Sequence, residues 1–171
     1  MNVLVFSDSH GRGSNMVEAF SRQIKRPDAI AFLGDGLRDL DYCEFDNIML
    51  LAVTGNCDLY NLYCKGIAKR EIVVTLGGKK IMITHGDRYS VKSGLARIIM
   101  AADEIGADIV LFGHTHEPLS LYIDNEENDY GLKLKKPIYL FNPGSIGGYE
   151  RSFGTVSIGK GGEVVLSHGE I

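Results

Sequence analysis

Three stretches of this chain, Val3 to Phe6, Ala29 to Leu33 and Ile48 to Val53, are apolar at every position instead of every second one. A strand with one solvated face alternates apolar and polar residues, so runs like these predict strands covered on both faces. Between the first two, Ser14 is placed to cap a helix on which Val17, Ala19, Phe20 and Ile24 form an apolar stripe, giving a β-α-β unit. Ile72 to Leu76 and Lys80 to Ile83 flank the sequence Gly77-Gly78, a hairpin signal. Ser90 to Ile105 reads as a second long helix stopped by Gly106, and Ile109 to Phe112 as the next buried strand. Leu119 to Ile123, Ile138 to Phe141, Gly154 to Ile158 and Glu163 to Ser167 make the last third strand-rich, with Asp124 to Gly131 a solvated loop. This pattern predicts an α/β fold in which two sheets share a core and the helices lie outside.

The chain has 171 residues, the length of one domain, so residues 1–171 are expected to form a single unit. Eighteen basic against 22 acidic residues give a net charge of -4, which offers no basic surface to nucleic acid or to an anionic membrane. The three cysteines, Cys43, Cys57 and Cys64, are odd in number and lack a C-x-x-C spacing, which fits a reducing cytoplasm better than a disulfide framework or a zinc knuckle. The apolar run after Met1 is too short for a signal peptide or a membrane span. The sequence is compatible with a homo-oligomer and carries no signal that requires one.

Polar chemistry is concentrated at the ends of the strands. The apolar runs lead directly into "SDSH", "LGDG", "TGNCD", "THGD" and "GHTH", each a turn carrying Asp, Asn or His. In α/β sheets ligands bind outside the carboxyl ends of the strands, where separate segments converge. Asp8, His10, Asp35, Asn56, His85, His114 and His116 would then supply two carboxylates, one amide oxygen and four imidazoles. This nitrogen and oxygen set suits Mn²⁺, Fe²⁺, Co²⁺ or Zn²⁺ better than Ca²⁺. It is too large for one tetrahedral ion, whereas two ions about 3.5–4 Å apart and sharing a carboxylate would use all of it. In the Asp8/His10 and His114/His116 pairs, alternate spacing would send both side chains to one side of an extended strand end.

Taken singly these motifs are ordinary. Asp after a strand is often a turn residue, "GDG" and "GN" are common turns, and a lone histidine is usually structural. Their ordered joint occurrence is what points to a site. In that order the chain resembles the calcineurin-like metallophosphoesterase superfamily, whose pattern is D-x-H, G-D, G-N-[H]-[DE], a His before Gly, and G-H-x-H. The resemblance spans Met1 to Gly147 and includes "NPGSIG" at Asn142 to Gly147, which is similar to a turn of the small single-domain branch.

The resemblance implies a four-layer αββα sandwich of two mixed sheets, and a site in which Asp8, His10 and His116 hold one metal, Asn56, His85 and His114 the other, and Asp35 bridges them. It also implies a phosphodiesterase for small phosphodiester substrates, in which hydroxide between two divalent metals attacks phosphorus and Asp35, Asn56 and His114 take part in catalysis. Manganese is the expected metal, with Fe, Zn, Co and Ni as alternatives. A phosphomonoesterase is the alternative enzyme, and a protein-binding scaffold of the same fold the non-enzyme alternative. The chain departs from the family pattern at Cys57, where many members carry histidine. A thiol is a poor proton donor beside an imidazolium, so leaving groups that need little protonation, or a donor recruited from elsewhere, are expected. Asp58 and Asp87 are expected to accept bonds from ligand imidazoles or to be solvated turn residues. Arg12 and Arg38 are read as solvated, with phosphate contact as the alternative, and His168 as a surface residue.

Overall fold

The computed structural model describes residues 1–45, 47–58 and 69–171. Asn2–Phe6 (β1), Ala29–Phe32 (β2) and Met49–Ala52 (β3) are parallel neighbours, and Ser152–Ile158 (β9) with Val164–Glu170 (β10) extend their sheet in the order β10-β9-β1-β2-β3. Glu71–Leu76 (β4), Lys79–Thr84 (β5), Ile109–Leu111 (β6), Pro118–Ile123 (β7) and Ile138–Pro143 (β8) form the second sheet in the order β4-β5-β6-β8-β7, with β5, β6 and β8 parallel. Both sheets are mixed.

The continuous apolar runs have the physical meaning their pattern suggests. Val3, Val5, Ala29 and Ala31 face Ile81, Ile83, Ile109, Leu111 and Phe141 in a core between the sheets. Leu4, Phe6, Ile30 and Phe32 point the other way, onto Met16 and Ala19 of helix α1 (Gly13–Ser21). Met82, Val110 and Leu140 likewise meet Ile98, Ile99 and Ala102 of helix α2 (Ala96–Ile105). Successive side chains of a strand point to opposite faces, so a strand in this arrangement must be apolar throughout. The result is four layers, α1, sheet, sheet, α2. Among the described residues no helix is long and apolar enough to cross a membrane.

Several local expectations are corrected. Helix α1 begins one residue before Ser14, and Arg12, not Ser14, holds the cap position without a side-chain cap bond. Val17 and Ile24 lie on the solvent side, so the buried stripe is Met16 and Ala19. β3 is an edge strand on which Met49 and Leu50 are exposed, because no layer covers that end of it among the described residues. Residues 90–95 are not part of the α-helix: Ser90 at φ 52° and Gly94 at φ 135° break the chain into a short 3₁₀ turn, Val91–Ser93, before α2 begins. The Gly77-Gly78 hairpin holds, with both glycines at positive φ and β4 paired to β5.

Candidate metal centre

Every predicted ligand stands just beyond the carboxyl end of a parallel strand: Asp8 and His10 after β1, Asp35 after β2, Asn56 after β3, His85 after β5, and His114 and His116 after β6. Both sheets therefore contribute. The backbone there is not the extended strand end that the alternate spacing suggested. Asp8, His10, Asp35, His114 and His116 all lie at φ between 46° and 69°, the left-handed region. Each such residue costs about 1–3 kcal/mol and persists only where the surroundings over-determine it. Close packing enforces these turns: a Cβ on Gly113 would overlap Ser7 Oγ, and one on Gly55 would overlap the Asp35 carboxylate.

The side chains converge in adjoining groups of donor atoms. Asp8 is fully buried, and its Oδ2 accepts bonds from Ser7 Oγ at 2.5 Å and from the His114 N–H at 3.0 Å. Its Oδ1 has no hydrogen-bond partner, although His116 Nε2 lies 3.1 Å, His10 Nε2 3.7 Å and His85 Nε2 4.0 Å away. His10 Nε2 and His116 Nε2 face each other at 3.4 Å. In the adjoining group His85 Nδ1 is 2.8 Å from the Leu33 carbonyl, which can only accept, so the neutral ring presents a bare Nε2. That nitrogen lies 3.1 Å from Asn56 Oδ1, 3.2 Å from His114 Nδ1 and 3.3 Å from Asp35 Oδ2. Donor atoms all within 4.8 Å of one another are supplied by Asp8, His10 and His116, by Asp35, His85 and His114, and by His10, Asp35 and Cys57.

The carboxylates and His85 support one another's charge, while His114 is opposed by its cationic neighbours. Burial works against ionisation of Asp35, but the hydrogen bond and charge of His85, with the Cys57 N–H, more than offset it and hold the carboxyl far below its ordinary range. Burial likewise works against protonated His85, and Asp35 and Asp8 outweigh it and raise its pKa. His114 is lowered by burial and by the positive charges of His85 and Lys92. The Cys57 thiol is pushed up to about 11, first by its hydrogen bond with Asp35 and then by burial and the surrounding carboxylates.

The supporting residues differ from those expected. Asp58 binds no imidazole: its buried carboxylate accepts the backbone N–H groups of Asp35, Gly36, Leu37 and Gly55 at 2.7–3.0 Å, clamping the two turns together. Asp87 pairs with Arg70 at 3.0 Å. Asp39, unmarked in the sequence reading, accepts Ser9 Oγ at 2.5 Å and the Gly11 N–H at 2.9 Å. Asn142 donates to the Gly113 carbonyl and to Thr115 Oγ1, and Ser145 Oγ donates to the Asp8 carbonyl, so "NPGSIG" ties the first and last motifs together. The sequence marks these residues only by the turn at Asn142 to Gly147 and by the carboxylate of Asp58 adjoining a motif. Arg12 and Arg38 are exposed, and Arg38 lines a cleft of about 550 Å³ with His10, Asp35, Tyr42 and Cys57. His168 is exposed and 2.8 Å from the Asn142 carbonyl, outside the site. Cys64 lies outside the described residues.

Comparison with known proteins bears on this arrangement. Residues 1–161 match the model of the calcineurin-like phosphoesterase superfamily domain. A Bacillus subtilis protein named probable metallophosphoesterase YsnB is 31% identical over 146 residues, covering 85% of this chain and 75% of its own. A phosphodiesterase of Methanocaldococcus jannaschii is 26% identical over 177 residues, covering 92% of each chain. The crystal structure of a predicted phosphoesterase from Streptococcus pneumoniae superposes with a TM-score of 0.67 at 25% identity, covering 99% of this chain and 97% of that one. Vps29 of Entamoeba histolytica, solved in complex with zinc, shares the fold with a TM-score of 0.67 at 20% identity over 99% of both chains. With nearly the whole length matched, this chain belongs to the calcineurin-like phosphoesterase superfamily.

Proposed function

We propose that this protein is a metal-dependent phosphodiesterase in which Asp8, His10 and His116 hold one divalent cation, Asn56, His85 and His114 hold a second, and Asp35 serves both. Mn²⁺ is the ion we assign. The observation that carries the reading is Asp8 Oδ1, a buried carboxylate oxygen without a hydrogen bond, surrounded by the Nε2 atoms of three histidines. Atoms so arranged are suited to a common centre rather than to one another, and the donor types fit a first-row divalent ion.

When bound, such cations acidify a water molecule and neutralise charge on phosphoryl oxygens. The chain's own contribution is to hold the donors ready. The Leu33 carbonyl fixes the tautomer of His85, and the Cys57 N–H bonds one oxygen of Asp35 while the other faces His85. Asn56 and His114 are half-buried, so they join the interior carboxylates to the side from which an ester arrives, and with Asp35 they are our proposed catalytic residues. Cys57, its thiol pKa near 11, protonates a departing alkoxide poorly. We therefore assign a preference for small diesters whose leaving group departs as a stable anion.

The Methanocaldococcus phosphodiesterase supports diesters over monoesters. Initial rates on an aryl phosphodiester and the matching monoester, each with added Mn²⁺, test the assignment. The diester is expected to be the faster. A faster monoester would reassign the protein as a phosphomonoesterase, and no metal-dependent turnover of either would remove the enzymatic reading.

A further inference from the structure

The third donor group shares His10 and Asp35 with the ligands assigned above and brings in Cys57, which is not among them, adding a sulfur to a site otherwise made of nitrogen and oxygen. We propose that these residues form a thiolate-containing cation site, so that a thiophilic divalent ion such as Zn²⁺ or Co²⁺ entering the centre takes Cys57 Sγ into its shell. The inference rests on the reading of His10 and Asp35 as ligands and extends it to a residue the family pattern leaves out.

Geometry carries it. The Cys57 N–H donates to Asp35 Oδ1 at 2.7 Å, which holds the cysteine beside that carboxylate. Asp58 clamps the same turn through the Gly55 N–H, so the sulfur is carried on a fixed backbone. A second observation points to a cation at this corner: the fully buried, unpartnered Asp8 Oδ1 lies 3.7 Å from His10 Nε2. Cys57 is exposed and lines the cleft, so an ion from solvent reaches it.

Ligand chemistry separates the ions. Mn²⁺ is satisfied by carboxylate and imidazole, whereas Zn²⁺ and ions like it favour thiolate and on binding displace the thiol proton to solvent. One imidazole, one carboxylate and one thiolate leave the fourth position of a tetrahedral shell open to water or a phosphate oxygen. The identity of the ion thus decides whether Cys57 is a bystander or a ligand.

Titration of the metal-free full chain with Co²⁺, followed by absorption, reads sulfur ligation directly. The wild type is expected to show visible d–d bands together with a near-ultraviolet sulfur-to-cobalt charge-transfer band. Cys57→Ser is expected to keep the d–d bands, which report a folded site, and to lose the charge-transfer band. Visible bands without charge transfer in the wild type, or a charge-transfer band that survives Cys57→Ser, overturn the proposal and leave the proposed function standing. Absence of any cobalt spectrum overturns both.

Discussion

A buried carboxylate oxygen left without a hydrogen bond costs free energy that a fold does not give up without return. Asp8 Oδ1 is the one buried side-chain polar atom without a partner among the described residues, and it lies where three imidazoles meet. The pKa of His85 sharpens the consequence. Burial opposes its charge, but Asp35 and Asp8 raise it above the ordinary 6.5, so the ring keeps its proton to a higher pH than a free imidazole. A cation needs the neutral ring, and protons compete with it. Mn²⁺ affinity measured calorimetrically is therefore expected to fall on acidification, with the fall beginning above pH 6.5. A constant affinity from pH 8 down to about 6 would contradict the assigned role of His85. The seven ligand candidates were legible in the sequence because their side chains carry the chemistry themselves. The roles of Asp39, Asp58 and Asn142 were not, because each acts by bonding a segment that only the fold brings near.

At the scale of elements the site is a set of turns, and the turns hold one another. The Asp58 carboxylate receives four backbone N–H groups, two on each oxygen. An amide in its place retains one acceptor oxygen and turns an NH₂ toward the other donors. Asp58→Asn is expected to cost about 2–3 kcal/mol of stability in denaturant unfolding, and a variant as stable as the wild type would refute the clamp. Gly113 is constrained sterically, since a Cβ would strike Ser7 Oγ, the donor that binds Asp8 Oδ2. Gly113→Ala is expected to weaken metal binding as well as folding, measured as metal content and melting temperature of the same preparation. Normal metal content would show that the Ser7–Asp8 bond is dispensable. Strand existence was readable from continuous apolar runs. The exposure of Met49 and Leu50 was not, because an edge strand and a central one share the same composition when one face is covered. The shortening of α2 was hidden too: apolar spacing persists through residues 90–95, while Ser90 and Gly94 adopt backbone angles no helix uses.

Across the whole molecule, two sheets bring five strand ends to one place, so their packing sets the geometry of the centre. Phe141 on β8 is fully buried in the core between them, and a Cβ on Gly154 of the opposite sheet would overlap its ring. Phe141→Ala is expected to cost about 3–5 kcal/mol in denaturant unfolding, and a loss below about 1 kcal/mol would mean that the sheets do not depend on this contact. The four-layer arrangement itself was legible from the resemblance and from strands apolar on both faces. The proposed chemistry requires that the gathered side chains hold two ions. Equilibrium dialysis of the metal-free protein against Mn²⁺, with bound metal counted per chain, is predicted to give about two ions for the wild type and clearly fewer for Asp35→Asn. No stoichiometric metal, or the same content in both proteins, would contradict it.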